Sequence, residues 1–400
     1  MTGRDVWADV VGQPDAVAVL RAAAAAAAEI VEGTAVAGSN SAMTHAWLFT
    51  GPPGSGRSVA ARAFAASLEC FAGVGCGQCP GCRTTLAGTH ADVRLVVPEG
   101  LSISVAEMRS LVQAAARRPT SGRWQVVVIE DADRLTEGAA NALLKAVEEP
   151  PDRTVFLLCA PSDHPEDVSV TIRSRCRAIA LRTPPPAAIA EVLVDRDGVD
   201  EKTARWAASV CGGHVGRARR LATDPAARER RAAVLRIPLG LRGFSDVFAR
   251  ADDLVQAAES EATTLSEVRD TAEREALETA MGAGGTGKGT ASATRGAKGA
   301  LKELEKRQKS RATRTQRDSL DLALIDLAGF YRDVLVTSVG SDAARYHPDR
   351  ADDLREAARL WTKESTLRRL EAVLSCRQAI DENVKPRIAV EAMLTALYHG

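Results

Sequence analysis

The stretch AWLFTGPPGSGRSVAARAF, residues 46–64, limits the folds open to this chain more than any other segment. AWLF (46–49) reads as a short buried strand, and SVAARAFAASLEC (58–70) has the apolar spacing of a helix. GPPGSGRS (51–58) joins them and differs by one residue from the phosphate-loop pattern G-x-x-x-x-G-K-[ST]. In such a loop, backbone N–H groups and the dipole of the following helix cradle phosphates. Gly51, Gly54 and Gly56 can form the turn, and Ser58 is placed to ligate Mg²⁺. Arg57 stands in the lysine position. It keeps the charge, but a planar guanidinium is a poor match for a slot that takes a compact ammonium. The expectation is a loop that binds ATP or ADP without efficient hydrolysis; the competing reading is a Gly/Pro turn with no ligand.

Further apolar strands surround this unit. VRLVV (93–97), WQVVVIEDAD (124–133), TVFLLCA (154–160) and RAIALRT (177–183) alternate with helical segments. The helices are expected at about 14–31, after a capping box at Ser104–Glu107, and at 140–149, where Pro150-Pro151 stops the chain. Apolar strands alternating with helices imply a parallel sheet covered on both faces, an α/β fold. VVVIEDAD ends in Glu130-Asp131. A phosphate-loop ATPase needs an acid at a strand end to hold Mg²⁺, then one to polarise water. Here the usual Asp–Glu order is inverted: Glu130 has a methylene too many for the first role, and Asp131 is short for the second. Together with Arg57 this argues against hydrolysis. The competing reading is a solvated acidic strand end.

Cys70 ends the helical segment, and Cys76, Cys79 and Cys82 follow in the glycine-rich stretch 71–89, for which little regular structure is expected. Two C-x2-C steps let backbone turns point thiolates inward, which suits a closed tetrahedral Zn²⁺ site with a structural role. An iron–sulfur cluster and four unconnected thiols are the alternatives. Cys159, Cys176, Cys211 and Cys376 are scattered and read as core or surface thiols. No apolar h-region follows the start of the chain, and no apolar run reaches the roughly 18 residues of a membrane span. The expectation is a cytoplasmic protein with reduced cysteines and no membrane partner.

The 400 residues leave room for two to three domains. With 52 basic and 52 acidic residues, net charge does not call for nucleic acid, and 4% aromatics argue against broad base-stacking platforms. Pro184-Pro185-Pro186 marks a boundary; 187–235 reads as a small helical unit and 238–400 as helical, interrupted by the Gly-rich, basic stretch 281–299, expected to be a mobile loop or linker. Ser174-Arg175-Cys176 puts an arginine between a helix end and a strand, where it could reach out of its own domain.

HAWLFTGPPGSGRS, the four-cysteine loop, VVVIEDADRLTEGAANALLKAVEEPP and TIRSRC together resemble the bacterial clamp-loader AAA+ subunits, and VVGQ (10–13) looks like that family's adenine-side box. The likeness covers about residues 1–235 and is weak beyond. It implies a RecA-like P-loop NTPase domain with a zinc insertion (1–183, with Cys70–Cys82), a helical lid (184–236) and an all-α collar (237–400). Of two close members, the gamma/tau motor hydrolyses ATP; the delta-prime subunit has a degenerate loop and lends its SRC arginine to a neighbour. Arg57, Glu130-Asp131 and Gly216, which stands where the lid arginine is expected with Arg217 beside it, point to the delta-prime type. The resemblance then implies a subunit of the DNA polymerase III holoenzyme, a nucleotidyltransferase assembly, with no catalysis alone. Its partners would be gamma/tau and delta subunits in a heteropentameric ring that loads a sliding clamp on primer-template DNA at replication forks. Arg175 would be the finger in trans. A gamma/tau-like motor and a zinc-dependent nucleic-acid-binding module are the rival readings.

Overall fold

Strands that are apolar at nearly every position need cover on both faces, and the three central ones have it. In the computed structural model, which describes residues 5–34, 42–120, 123–280 and 290–400, β1 (Ala46–Thr50), β2 (Val93–Val96), β3 (Gln125–Ile129), β4 (Thr154–Ala160) and β5 (Arg177–Ala180) form one sheet. Its order is β2-β3-β4-β1-β5, and every pairing is parallel. Side chains of successive residues point to opposite faces. Trp47, Phe49, Val126, Val128, Val155 and Leu157 pack on one side with α1 (Pro14–Glu32) and α2 (Arg57–Leu68). Leu48, Val127, Ile129, Phe156 and Leu158 pack on the other with residues of α4 (Val105–Ala115), α5 (Glu137–Glu148) and α6 (Val170–Arg173). The capping box of α4 forms with both of its hydrogen bonds.

The cysteine loop is more regular than its composition suggests. It contains α3 (Pro80–Leu86), whose N-cap is Cys79, the thiolate position accepting from the Cys82 N–H. A sulfur cap and a proline in the first turn start a helix that Gly81 alone would disfavour.

Contacts divide the chain into two units, Met1–Ala222 and Thr223–Gly400. The first also holds α7 (Pro186–Asp195), α8 (Glu201–Val210) and most of α9 (Val215–Thr223); the second holds α10 (Pro225–Gly240), α11 (Phe244–Ala280), α12 (Thr290–Ser338), α13 (Ala351–Leu360), α14 (Lys363–Asp381) and α15 (Pro386–His399). The lid segment expected at 184–236 is thus divided between them. Of the Gly-rich segment 281–299, residues 281–289 lie outside the described residues, and the rest begins α12. No helix among the described residues is long and apolar enough to cross a membrane.

Candidate functional site

β1 is flanked by β4 and β5, so the chain leaves its C-terminal end where the strand order reverses, the usual place for a ligand in an open parallel sheet. There the backbone turns through Gly51, Gly54 and Gly56, with φ of 154°, 86° and 90°. Two of the three are enforced by neighbours. A Cβ on Gly51 would lie 2.5 Å from the Leu181 carbonyl oxygen, and one on Gly54 would lie 2.6 Å from Cβ of His214. Gly56 faces open space. It is the N-cap of α2 and offers no side-chain cap, so the first N–H groups of α2 are presented to an anion. The cradle therefore fits a phosphate.

Gln13 ties the loop to its surroundings. Its buried amide donates to the carbonyls of Ser55 (3.2 Å) and Arg182 (2.5 Å) and accepts from the Arg182 N–H (3.1 Å). His214, in the turn between α8 and α9, packs on Gly54 and accepts from the Arg217 N–H at 3.2 Å. Burial, then the charge of Arg217, lowers its pKa, so it stands over the loop neutral. Gly216 is exposed in the first turn of α9.

The charged groups do not take the arrangement of a magnesium site. Arg57 folds back, its Nη1 donating to the Gly51 carbonyl at 2.9 Å. Glu130, at the end of β3, is taken by Arg62 of α2: Nε lies 2.9 Å and Nη2 2.7 Å from Oε1. Asp131 has a left-handed backbone, φ 54°, and lies 4.0 Å from Arg134. Asp133 is raised by burial and by Asp131. Cys159, at the end of β4, lies within the field of Glu130, Arg57, Asp131 and Arg62; burial pushes its thiol up. Sequence reasoning missed Arg62, although its spacing of four from Ser58 on a helix was the available signal.

The four cysteines come together. Sγ atoms of Cys70, Cys76, Cys79 and Cys82 lie within 4.8 Å of one another. N–H groups turn toward the sulfurs: Cys76 N to Cys70 Sγ at 3.3 Å, Cys79 N to Cys76 Sγ at 3.4 Å and Cys82 N to Cys79 Sγ at 3.5 Å. Burial opposes ionisation of Cys70, but N–H groups of Cys76, Ala72 and Val74 overcome it and bring its thiol down to about 6. Burial pushes Cys82 up. Four sulfur donors with N–H support fit a structural Zn²⁺. A Cβ on Gly81 would lie 2.1 Å from the Glu69 carbonyl oxygen, so the second C-x2-C step requires glycine. The loop is also docked on the 3₁₀ helix Val6–Asp9 through Val6 N to Gly75 O at 2.9 Å and Trp7 Nε1 to Val74 O at 3.3 Å.

Arg175 lies just past α6 and is 37% exposed. It donates to the Thr171 carbonyl at 2.9 Å and pairs with Glu148, at the end of α5, at 2.6 Å.

The strand order, the glycine loop leaving β1 and the acid ending β3 define a P-loop NTPase-like domain followed by a helical region. The family described as DNA polymerase III, delta subunit, matches residues 28–185. The delta' subunit of Bacillus subtilis is 33% identical over 197 residues, 49% of this chain and 59% of that protein. The delta' subunit of Pseudomonas aeruginosa is 38% identical over 161 residues, 39% and 48% of the two chains. The gamma/tau subunit of Mycobacterium tuberculosis is 34% identical over 164 residues, 39% and 28% of the two. A gamma-subunit-related structure from Thermotoga maritima covers 88% of this chain and 94% of its own at 15% identity, but with a TM-score of 0.38 the likeness carries no weight. The similarity to clamp-loader subunits is thus carried by the N-terminal region, residues 28–185 in the family match. The chain spans about half the length of the delta' relatives it matches.

Proposed function

We propose that this chain is a delta-prime-like ring subunit of a bacterial clamp loader, with weak or no ATP hydrolysis of its own. In this reading it joins gamma/tau and delta subunits in a five-membered ring that loads a sliding clamp on primed DNA in the cytoplasm. The observation that carries it is a contrast within one domain. The groups that would serve hydrolysis in cis are engaged within their own site, Arg57 with the Gly51 carbonyl and Glu130 with Arg62, whereas Arg175, paired with Glu148, lies past a helix end with its side chain 37% exposed. An arginine placed there can neutralise charge that develops on a neighbour's phosphates. Cys70, Cys76, Cys79 and Cys82 hold Zn²⁺ as a structural staple. The three-part division at 183 and 236 belongs to the same proposal.

The test is a drop-out reconstitution. The full chain should show no steady-state ATPase alone, and omitting it from a loader built with its partner subunits should abolish clamp loading. Loading that proceeds equally without it would exclude the reading. The gamma/tau-like motor is the second reading, favoured by the 34% identity to gamma/tau relatives. Sustained ATP hydrolysis by the isolated chain, abolished by Arg57→Ala, would establish it instead.

A further inference from the structure

A P-loop site holds its magnesium between the hydroxyl after the loop cation and the acid that ends the neighbouring strand. In this chain those groups are Ser58 and Glu130, and a third residue has come between the elements that carry them. Ser58 and Arg62 are four apart on α2, so they lie on one face of the helix, one above the other. Side chains on a helix lean toward its N-terminus, so Arg62 reaches back over the turn that begins with Ser58. It meets Glu130 there with two nitrogens on one oxygen, at 2.9 and 2.7 Å. Glu130 is only 12% exposed, so its charge is little screened by water, and an uncompensated partner would be costly there.

In such a site a magnesium ion is held by one or two protein carboxylates together with the nucleotide phosphates. Here the guanidinium already holds the strand-end carboxylate and repels a second cation. We infer that Arg62 takes the place of magnesium in this site, so that nucleotide phosphates held by the Gly51–Ser58 loop bind without a divalent ion. The inference rests on the loop binding nucleotide, and it extends that reading by assigning the counter-charge. The open N–H groups of α2 supply the phosphate contacts, and Arg62, one turn beyond Ser58 on the same helix face, supplies the charge that holds Glu130.

The experiment measures affinity of the full chain for a fluorescent ADP analogue by anisotropy, in millimolar Mg²⁺ and in EDTA. Wild type should bind equally in both, within about twofold. In Arg62→Ala the carboxylate is released, and Mg²⁺ should tighten binding by about tenfold or more. Arg62→Ala combined with Glu130→Gln should lose that response, which separates metal ligation from a general effect of removing a cation. Wild type that responds to Mg²⁺ as strongly as Arg62→Ala would overturn the role of Arg62 and leave nucleotide binding intact. Absence of binding by every variant in both conditions would overturn it together with the nucleotide reading of the loop. The ring-subunit proposal is read separately, by the drop-out reconstitution.

Discussion

At the scale of single residues, glycines and cysteines do what no substitute can. Gly54 combines φ 86° with a direct approach of His214, so Gly54→Ala meets both backbone strain and a clash. The expected cost is about 1–3 kcal/mol, seen as a Tm lowered by several degrees in a thermal melt. An unchanged Tm would mean the turn between α8 and α9 does not press on the loop. Cys79 is at once a candidate metal ligand and the cap of α3. Cys79→Ser and Gly81→Ala should each lower zinc, measured by elemental analysis, from one per chain to a small fraction. The cysteine cluster and the phosphate loop were legible because each packs its chemistry into a few neighbouring residues. The partners of Arg57, Glu130 and Arg175 were not. Glu130 lies 68 positions from Arg62, and Glu148 ends α5, whereas the arginine it holds lies just past α6. Such pairs are set by strand order and helix placement, which local pattern does not encode.

At the scale of elements, the uninterrupted apolar segments were the easiest to read. TVFLLCA became β4 with the bounds its composition indicated, and the capping box started α4 where Ser104 placed it. α3 was hidden because a sulfur cap, rather than helix propensity, begins it. α11 and α12 pose a different case. Their burial is confined to one end: among the described residues, none of α11 beyond Ala262 is buried, and of α12 before Leu320 only Gln308 is. Charge takes over in that stretch. Arg311 pairs with Asp270 at 2.5 Å and with Glu273 at 2.6 Å, and Gln308 donates to the Asp270 carbonyl at 3.0 Å. The Arg311 hydrogen bond is the chief cause that holds Glu273 down at about 2, from 4.5. A carboxylate lowered in the folded state contributes stability above its ordinary value, and that contribution disappears as pH falls toward the lowered one. Arg311→Ala should therefore speed amide exchange in 263–280 and 299–319 at neutral pH, and the difference from wild type should shrink below about pH 4. Equal exchange at neutral pH would show that these ion pairs do not order the two helices.

At the scale of the whole molecule, the second unit carries a buried charge network with its own pH signature. Arg231, 5% exposed, donates to Asp349 at 2.7 and 2.9 Å and to Nδ1 of His347 at 2.9 Å. Because arginine only donates, Nδ1 must accept; Nε2 then carries the proton and donates to the Asp326 carbonyl at 2.9 Å. Burial keeps His347 neutral against the attraction of Asp326 and Asp333. A histidine lowered in this way stabilises the fold above its ordinary value near 6.5 and costs stability as pH falls below it. Denaturant midpoints should fall between about pH 7.5 and about pH 5.5, and less so in His347→Gln. The fold class was readable from strand and helix alternation alone; the tuning of this network was not, since its members come from three separate segments. Whether the molecule lends Arg175 to a neighbour is tested most directly by Arg175→Ala. In a reconstituted loader, that variant should assemble normally and lower ATP turnover at the site it completes by ~10³. Normal assembly with ATPase equal to wild type would contradict that role.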